Sequence, residues 1–136
     1  MTELSTGRQR LVRALAVLAV AFGVVTVFVG GRILLGDAAA RQMAGAYVGF
    51  VLWFNVLAGC AYVVAGVGMW RGDRWSLGLA LAIALLTTLV FGAFLAHVQG
   101  GGAYEVRTLW ALPFRAAIWF AIAAALWWLL GARSGR

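Results

Sequence analysis

The chain has 136 residues, of which 65% are hydrophobic and 11% charged, far below the roughly 25% charge of ordinary soluble domains. Its net charge of +7 comes from eleven basic residues, all arginine, scattered in small groups between apolar runs, so no basic face for nucleic acid exists. One cysteine, Cys60, and one histidine, His97, exclude within one chain an internal disulfide, a thiol–disulfide relay, a bis-histidine haem and a four-ligand zinc site. Purified protein is expected to carry no haem, flavin or structural metal.

The first apolar run, Ala14 to Gly31, lies between Arg13 and Arg32 with Thr26 as its only hydroxyl. It meets the ~17–25 residues needed to span a bilayer core and exceeds the ~7–15 of a signal-peptide apolar region, so it reads as a span covering about residues 14–34. The second runs from Met43 to Trp70, long enough to require tilt or an interfacial extension. Arg71 to Arg74 form a tight connection flanked by Trp70 and Trp75, an aromatic pair suited to a membrane–water interface. The third occupies about Trp75–Val98, and Gln99–Arg107, with three glycines at 100–102, forms a loop. The fourth runs from about Thr108 to Ala132. Its Pro113 would clash with the carbonyl of Leu109 in a continuous helix, so the helix either starts near Trp110 or kinks.

These runs predict an all-α, antiparallel four-helix transmembrane bundle forming a single membrane domain over residues 1–136. An even number of spans puts both termini on one side. The terminal segments and the Arg71–Arg74 loop carry seven arginines against Arg32, Arg41 and Arg107 opposite. The positive-inside rule therefore predicts both termini in the cytoplasm, in a bacterial inner membrane.

Small residues concentrate in the second span: Gly45 and Gly49 make a GxxxG pair, and Ala58, Tyr62 and Gly66 share a face with Asn55. Such faces allow close helix contact, inside the bundle or with another chain. Arg115 is the most informative residue, because an intramembrane arginine faces a bundle interior, a wet cavity, or the headgroups by snorkelling. Asn55, Thr87 and Thr88 are expected to share a layer with it near mid-membrane, as interhelical hydrogen-bonding groups or as a site for an anionic or polar ligand. His97, Glu105 and Arg107 form a polar cluster in the outer loop, with no nucleophile or metal partner, which suggests a loop ordered by a Glu105 ion pair with Arg107 or Arg115.

The stretch Phe54–Gly66, followed by Trp70-Arg71 and Arg74-Trp75, together with Gly101–Thr108 and Arg115, resembles a pattern in small, uncharacterised bacterial four-span membrane proteins; the architecture is also similar to that of the DoxX group. Asn55 and Thr87-Thr88 resemble the polar positions of the small dimeric fluoride channels. Leu89-Val90-Phe91, however, stands where those channels continue their Thr-Thr-Phe-Ser-Thr-Phe signature, a departure that argues against ion conduction.

Three functions fit the sequence. The first is a non-enzymatic accessory or structural subunit whose partners are the bilayer and other membrane helices, in a homo-oligomer or larger complex. The second is a small channel or carrier for an anionic or polar solute using Asn55 and Arg115, and the third a quinone- or lipid-associated membrane enzyme.

Overall fold

A computed structural model describes residues 6–131 and shows five helices. Four are long and apolar enough to cross a membrane: α1 (Thr6–Leu34), α3 (Gly49–Arg71), α4 (Trp75–Gln99) and α5 (Val106–Gly131). The fifth, α2 (Ala38–Ala44), is a two-turn helix in the connection between the first two. The four long helices form an all-α bundle in which α1 packs on α3, α3 on α4 and α4 on α5. Where α5 returns to α1 the contact is sparse.

The α1–α3 seam explains the glycines. A Cβ on Gly23 would stand 2.6 Å from the carbonyl oxygen of Gly59, and one on Gly66 would stand 2.9 Å from that of Ala16. With no side chains between them the two backbones approach directly, the association open to helices in lipid, where apolar surfaces gain nothing by leaving the solvent. The small-residue face of the second span, Ala58, Tyr62 and Gly66, is buried in this seam. The bundle interior is filled by Tyr62, Met69, Trp119, Leu126, Leu129 and Leu130, all essentially inaccessible. The outward surface carries residues such as Leu18, Phe28, Leu57, Leu86 and Leu89, each more than half exposed. In water that surface would cost about 25 cal/mol per Å²; against hydrocarbon it costs nothing.

At the end bearing the termini, arginines lie over tryptophans: the Arg8 guanidinium is 5.1 Å from the Trp128 ring and that of Arg13 is 4.9 Å from Trp70. This pairing of cation and interfacial aromatic suits a headgroup layer. The adjoining α3–α4 turn closes on Gly72, whose left-handed φ of 74° lets its N–H reach the Met69 carbonyl.

The opposite end departs from the sequence expectation. The second span begins at Gly49 and not at Met43. Residues 43–48 look continuous with the apolar run, but Gly45 adopts φ 66° and caps α2 through the Arg41 carbonyl, so the chain turns before α3 starts. Gly45 and Gly49 therefore do not form a GxxxG face, and nothing packs on Gly49. Helix α2 is tied down at both ends. Asp37 caps its start, accepting from the Ala40 N–H (3.2 Å) and from Arg32 Nε (2.7 Å), and the Arg32 hydrogen bond, with that of Ala40, holds the Asp37 carboxyl below its ordinary value. At the far end Arg107 donates to the carbonyls of Met43 and Ala44, where a helix C-terminus favours a cation. Glu105 accepts from the Ala46 N–H at 2.7 Å.

Gly45→Ala is accordingly expected to loosen this cap. Its φ is one that L-residues rarely adopt, at a cost of order 1–3 kcal/mol, and its new methyl would collide with the Glu105 carboxylate. Hydrogen exchange of the Ala46 amide should accelerate at least tenfold while α4 amides are unchanged.

The fourth long helix also differs. It starts at Val106, so Pro113 lies inside it and not in its first turn. Early initiation is favoured because Thr108 N–H is already bonded to the Glu105 carbonyl. Lacking an N–H, Pro113 leaves the Leu109 carbonyl without its usual helical donor, two residues before Arg115.

Candidate functional site

Arg115 stands nine residues into α5, ~14 Å from its start at 1.5 Å per residue. Its guanidinium carbon lies 5.1 Å from the centroid of the Phe22 ring on α1, so the side chain is held across the α1–α5 gap. The Phe22 ring stacks on Tyr62 of α3 (5.4 Å, 5° between planes), and Tyr62 stacks on Trp119, one turn beyond Arg115 (4.8 Å). A cation and three aromatic rings thus run through the bundle in one file. The α1–α3 seam positions it by bringing Phe22 and Tyr62 together, and the i, i+4 spacing on α5 places Arg115 and Trp119 on one face.

Among the described residues four buried side-chain polar atoms have no hydrogen-bond partner: Arg115 Nη1, Tyr62 Oη, Trp119 Nε1 and Asn55 Oδ1. Three belong to this file. The fourth belongs to a residue that shares with Arg115 the wall of a cleft of about 340 Å³ between α1, α3 and α5, at the end where α2 lies. At its mouth, the end where α2 lies, it is lined by Tyr47, Glu105, Arg107 and Thr108, with apolar side chains of α1 and α3 completing the walls. A buried donor or acceptor without a partner costs about 1–3 kcal/mol, and more when charged. Only the Arg115 and Asn55 atoms line the cleft, so what it presents to a guest is the free Arg115 donor beside the Asn55 amide. Arg115 has no carboxylate to meet it: among the described residues the ion pairs are Arg32 with Asp37 and Arg71 with Asp73.

Asn55 is closer to the helix end than the sequence implied. Only six residues separate it from Gly49, ~9 Å along the axis, because the stretch from Met43 to Val48 is not part of that helix. Thr87 and Thr88 do not join it. Each hydroxyl donates to the carbonyl four residues back, Ile83 (2.7 Å) and Ala84 (2.9 Å), and neither lines the cleft. A threonine satisfied by its own helix asks nothing of a neighbour.

The outer-loop residues also part company. Glu105 binds the α2–α3 turn and Arg107 the end of α2, so no Glu105 ion pair with Arg107 or Arg115 forms. The His97 ring packs edge-on against Phe50, and its Nε2 lies 2.9 Å from the Ala103 carbonyl, closing the glycine loop. Glu105 and Arg107 line the cleft, whereas His97 does not. Cys60 is exposed on the outer surface, and among the described residues no three His, Cys, Asp or Glu side chains come together as metal ligands.

The sequence reading missed Phe22 and Trp119. Nothing distinguishes Phe22 from other apolar residues of its run, but Trp119 carried a signal in its place one turn after an intramembrane arginine. Compared with known proteins, the chain matches no family model, no curated protein and no solved structure.

Proposed function

We propose that the protein is an integral membrane protein that binds an anionic group in the cleft headed by Arg115. The observation that carries this reading is the unpartnered guanidinium nitrogen, buried beside a cavity and accompanied by Asn55. A positive charge at membrane depth without a counter-ion costs at least ~2.5–3.5 kcal/mol, and an anion in the cleft would offset it. The Asn55 amide carries N–H donors beside its orphaned oxygen, and it serves a carboxylate or phosphate oxygen through those N–H groups, with the amide turned so that its nitrogen faces the cleft.

The cleft is blind. Tyr62, Trp119 and the leucines of α5 fill the bundle beneath it, which favours a binding protein or carrier over a pore through one chain. The alternative role, an accessory subunit acting through helix contacts, loses its best support because the small-residue face of α3 is covered by α1. The end bearing α2 and the cleft is assigned to the outside of the cell on the arginine distribution. A cysteine at Gly101 in a Cys60-free background should react with an impermeant thiol reagent in intact cells, and one at Gly72 should not; the reverse pattern would invert the orientation.

The function is tested by thermal unfolding in mild non-ionic detergent with butyrate, phosphate or sulfate, each against chloride at equal ionic strength. At least one should stabilise the protein, since a ligand at a hundred times its Kd contributes about 2.7 kcal/mol. The effect should vanish in Arg115→Gln and persist in Thr87→Val, whose hydroxyl serves only its own helix. Stabilisation by none of the three, or equal stabilisation of Arg115→Gln, would overturn the reading.

A further inference from the structure

Beside the Arg115 cleft lies a second, wholly different space. Along the sparse α1–α5 contact runs a groove of about 420 Å³ walled by apolar side chains, among them Leu15, Ala19, Ile118 and Ile122. Phe22 lines both the cleft and the groove, and on α5 the change from one to the other takes a single turn, from Arg115 in the cleft to Trp119 in the groove. A cleft with an unpaired cation thus lies beside an apolar trench, with Phe22 as their common wall, and the trench walls run from Leu15 to Phe22 and from Phe114 to Ile122, ~10–12 Å of helix.

Resting on the anion-binding reading, we propose that the natural ligand is a single-chain anionic amphiphile, its head at Arg115 and Asn55 and its alkyl chain in the α1–α5 groove. Charge complementarity selects the head. An alkyl chain suits the groove because its walls are almost entirely apolar, and a chain laid there fills the gap α1 and α5 leave between them. One chain is specified because, among the described residues, the α1–α5 groove shares a wall residue, Phe22, with the cleft, whereas a second apolar hollow, between α1 and α3 near Val17, Gly66 and Trp70, shares none.

The test places the full chain in nanodiscs of phosphatidylcholine and uses laurate bearing a mid-chain photoreactive diazirine. Crosslinks are expected within Leu15–Phe22 and Phe114–Ile122, competed by unlabelled laurate at concentrations at least tenfold below those butyrate requires, and lost in Arg115→Gln. Ala121→Phe, an exposed position in the groove wall, should weaken laurate binding at least tenfold while stabilisation by butyrate is kept. If butyrate competes as well as laurate, the anion site stands and the amphiphile is wrong. If phosphatidylglycerol competes equally with laurate, the single-chain assignment fails. Crosslinks insensitive to every anion and to Arg115→Gln would mark ordinary contact with bilayer lipid and would sink both readings.

Discussion

Gly23→Leu is expected to destabilise the protein by more than about 3 kcal/mol, lowering its unfolding temperature in detergent by about 10 °C or more. The reason is geometric. The first atom of any side chain at Gly23 meets the Gly59 carbonyl oxygen at 2.6 Å, Val63 Cγ2 at 2.8 Å and Tyr62 Cβ at 3.0 Å. Rotamer changes relieve only the valine contact, so α1 must move away from α3 along the largest helix interface of the bundle. Gly31→Leu is the control: it lies on the same helix, where a Cβ meets nothing within 4 Å, and should change stability by no more than about 1 kcal/mol, in the stabilising direction if helix propensity decides it. Because Phe22 and Tyr62 flank the Gly23 contact, the Gly23 variant should also lose anion-dependent stabilisation. Equal thermal stability of the two variants would refute direct backbone packing at this seam.

Arg115→Gln should abolish stabilisation by the anion that stabilises the wild type, lowering affinity at least tenfold and up to about a hundredfold, as removal of a hydrogen bond to a charged group costs ~1.5–3 kcal/mol. Its effect on the ligand-free protein should be small or favourable, because the substitution removes a buried charge that no carboxylate neutralises. That split separates the two roles an intramembrane arginine can have. A structural Arg115 would make the variant less stable with or without ligand; a binding Arg115 makes it insensitive to ligand and at least as stable without it. Paired unfolding curves, with and without the anion, read both quantities.

The four long helices were legible because hydrophobic length is a crude signal: spans and turns bounded by Arg13, Arg32, Trp70, Trp75 and Gln99 survive any error of a few residues. The tight α3–α4 turn was legible for the same reason, with tryptophans and arginines marking it. Helix α2 was not. Its seven residues carry no apolar periodicity, and it is held by Arg107 and Glu105, which lie more than sixty positions away or nearly so. Only Asp37 and Gly45, a capping acid and a glycine eight positions apart across an Ala-rich stretch, hinted at its two ends. Missing α2 displaced the start of the second span, and with it the apparent depth of Asn55.

The candidate site was partly legible. Arg115 and Asn55 stood out because a charge or an amide in an apolar run has to be met somehow, and both line the cleft. Thr87 and Thr88 stood out by the same logic, but a hydroxyl can bond to the carbonyl of its own preceding turn and an arginine inside a helix cannot dispose of five N–H groups that way. His97, Glu105 and Arg107 are close in sequence, and their neighbourhood suggested one cluster; the structure gives the three different backbone partners. The aromatic file escaped notice because stacking joins α1, α3 and α5, and no spacing along one helix encodes a contact among three.

If the Arg115 guanidinium holds an anion, as proposed, nitrogen–carbon dipolar recoupling in solid-state NMR detects the contact directly. Protein with nitrogen-15 in all arginine side chains, reconstituted in phosphatidylcholine with carboxyl-carbon-13 laurate, is compared with its Arg115→Gln variant. Recoupling in the wild type is expected to correspond to a guanidinium–carboxylate contact within about 4 Å, as hydrogen bonding at ~2.7–2.9 Å requires, and to be lost completely in the variant. Recoupling of equal strength in both proteins, or in neither while the laurate remains bound, would contradict the proposal.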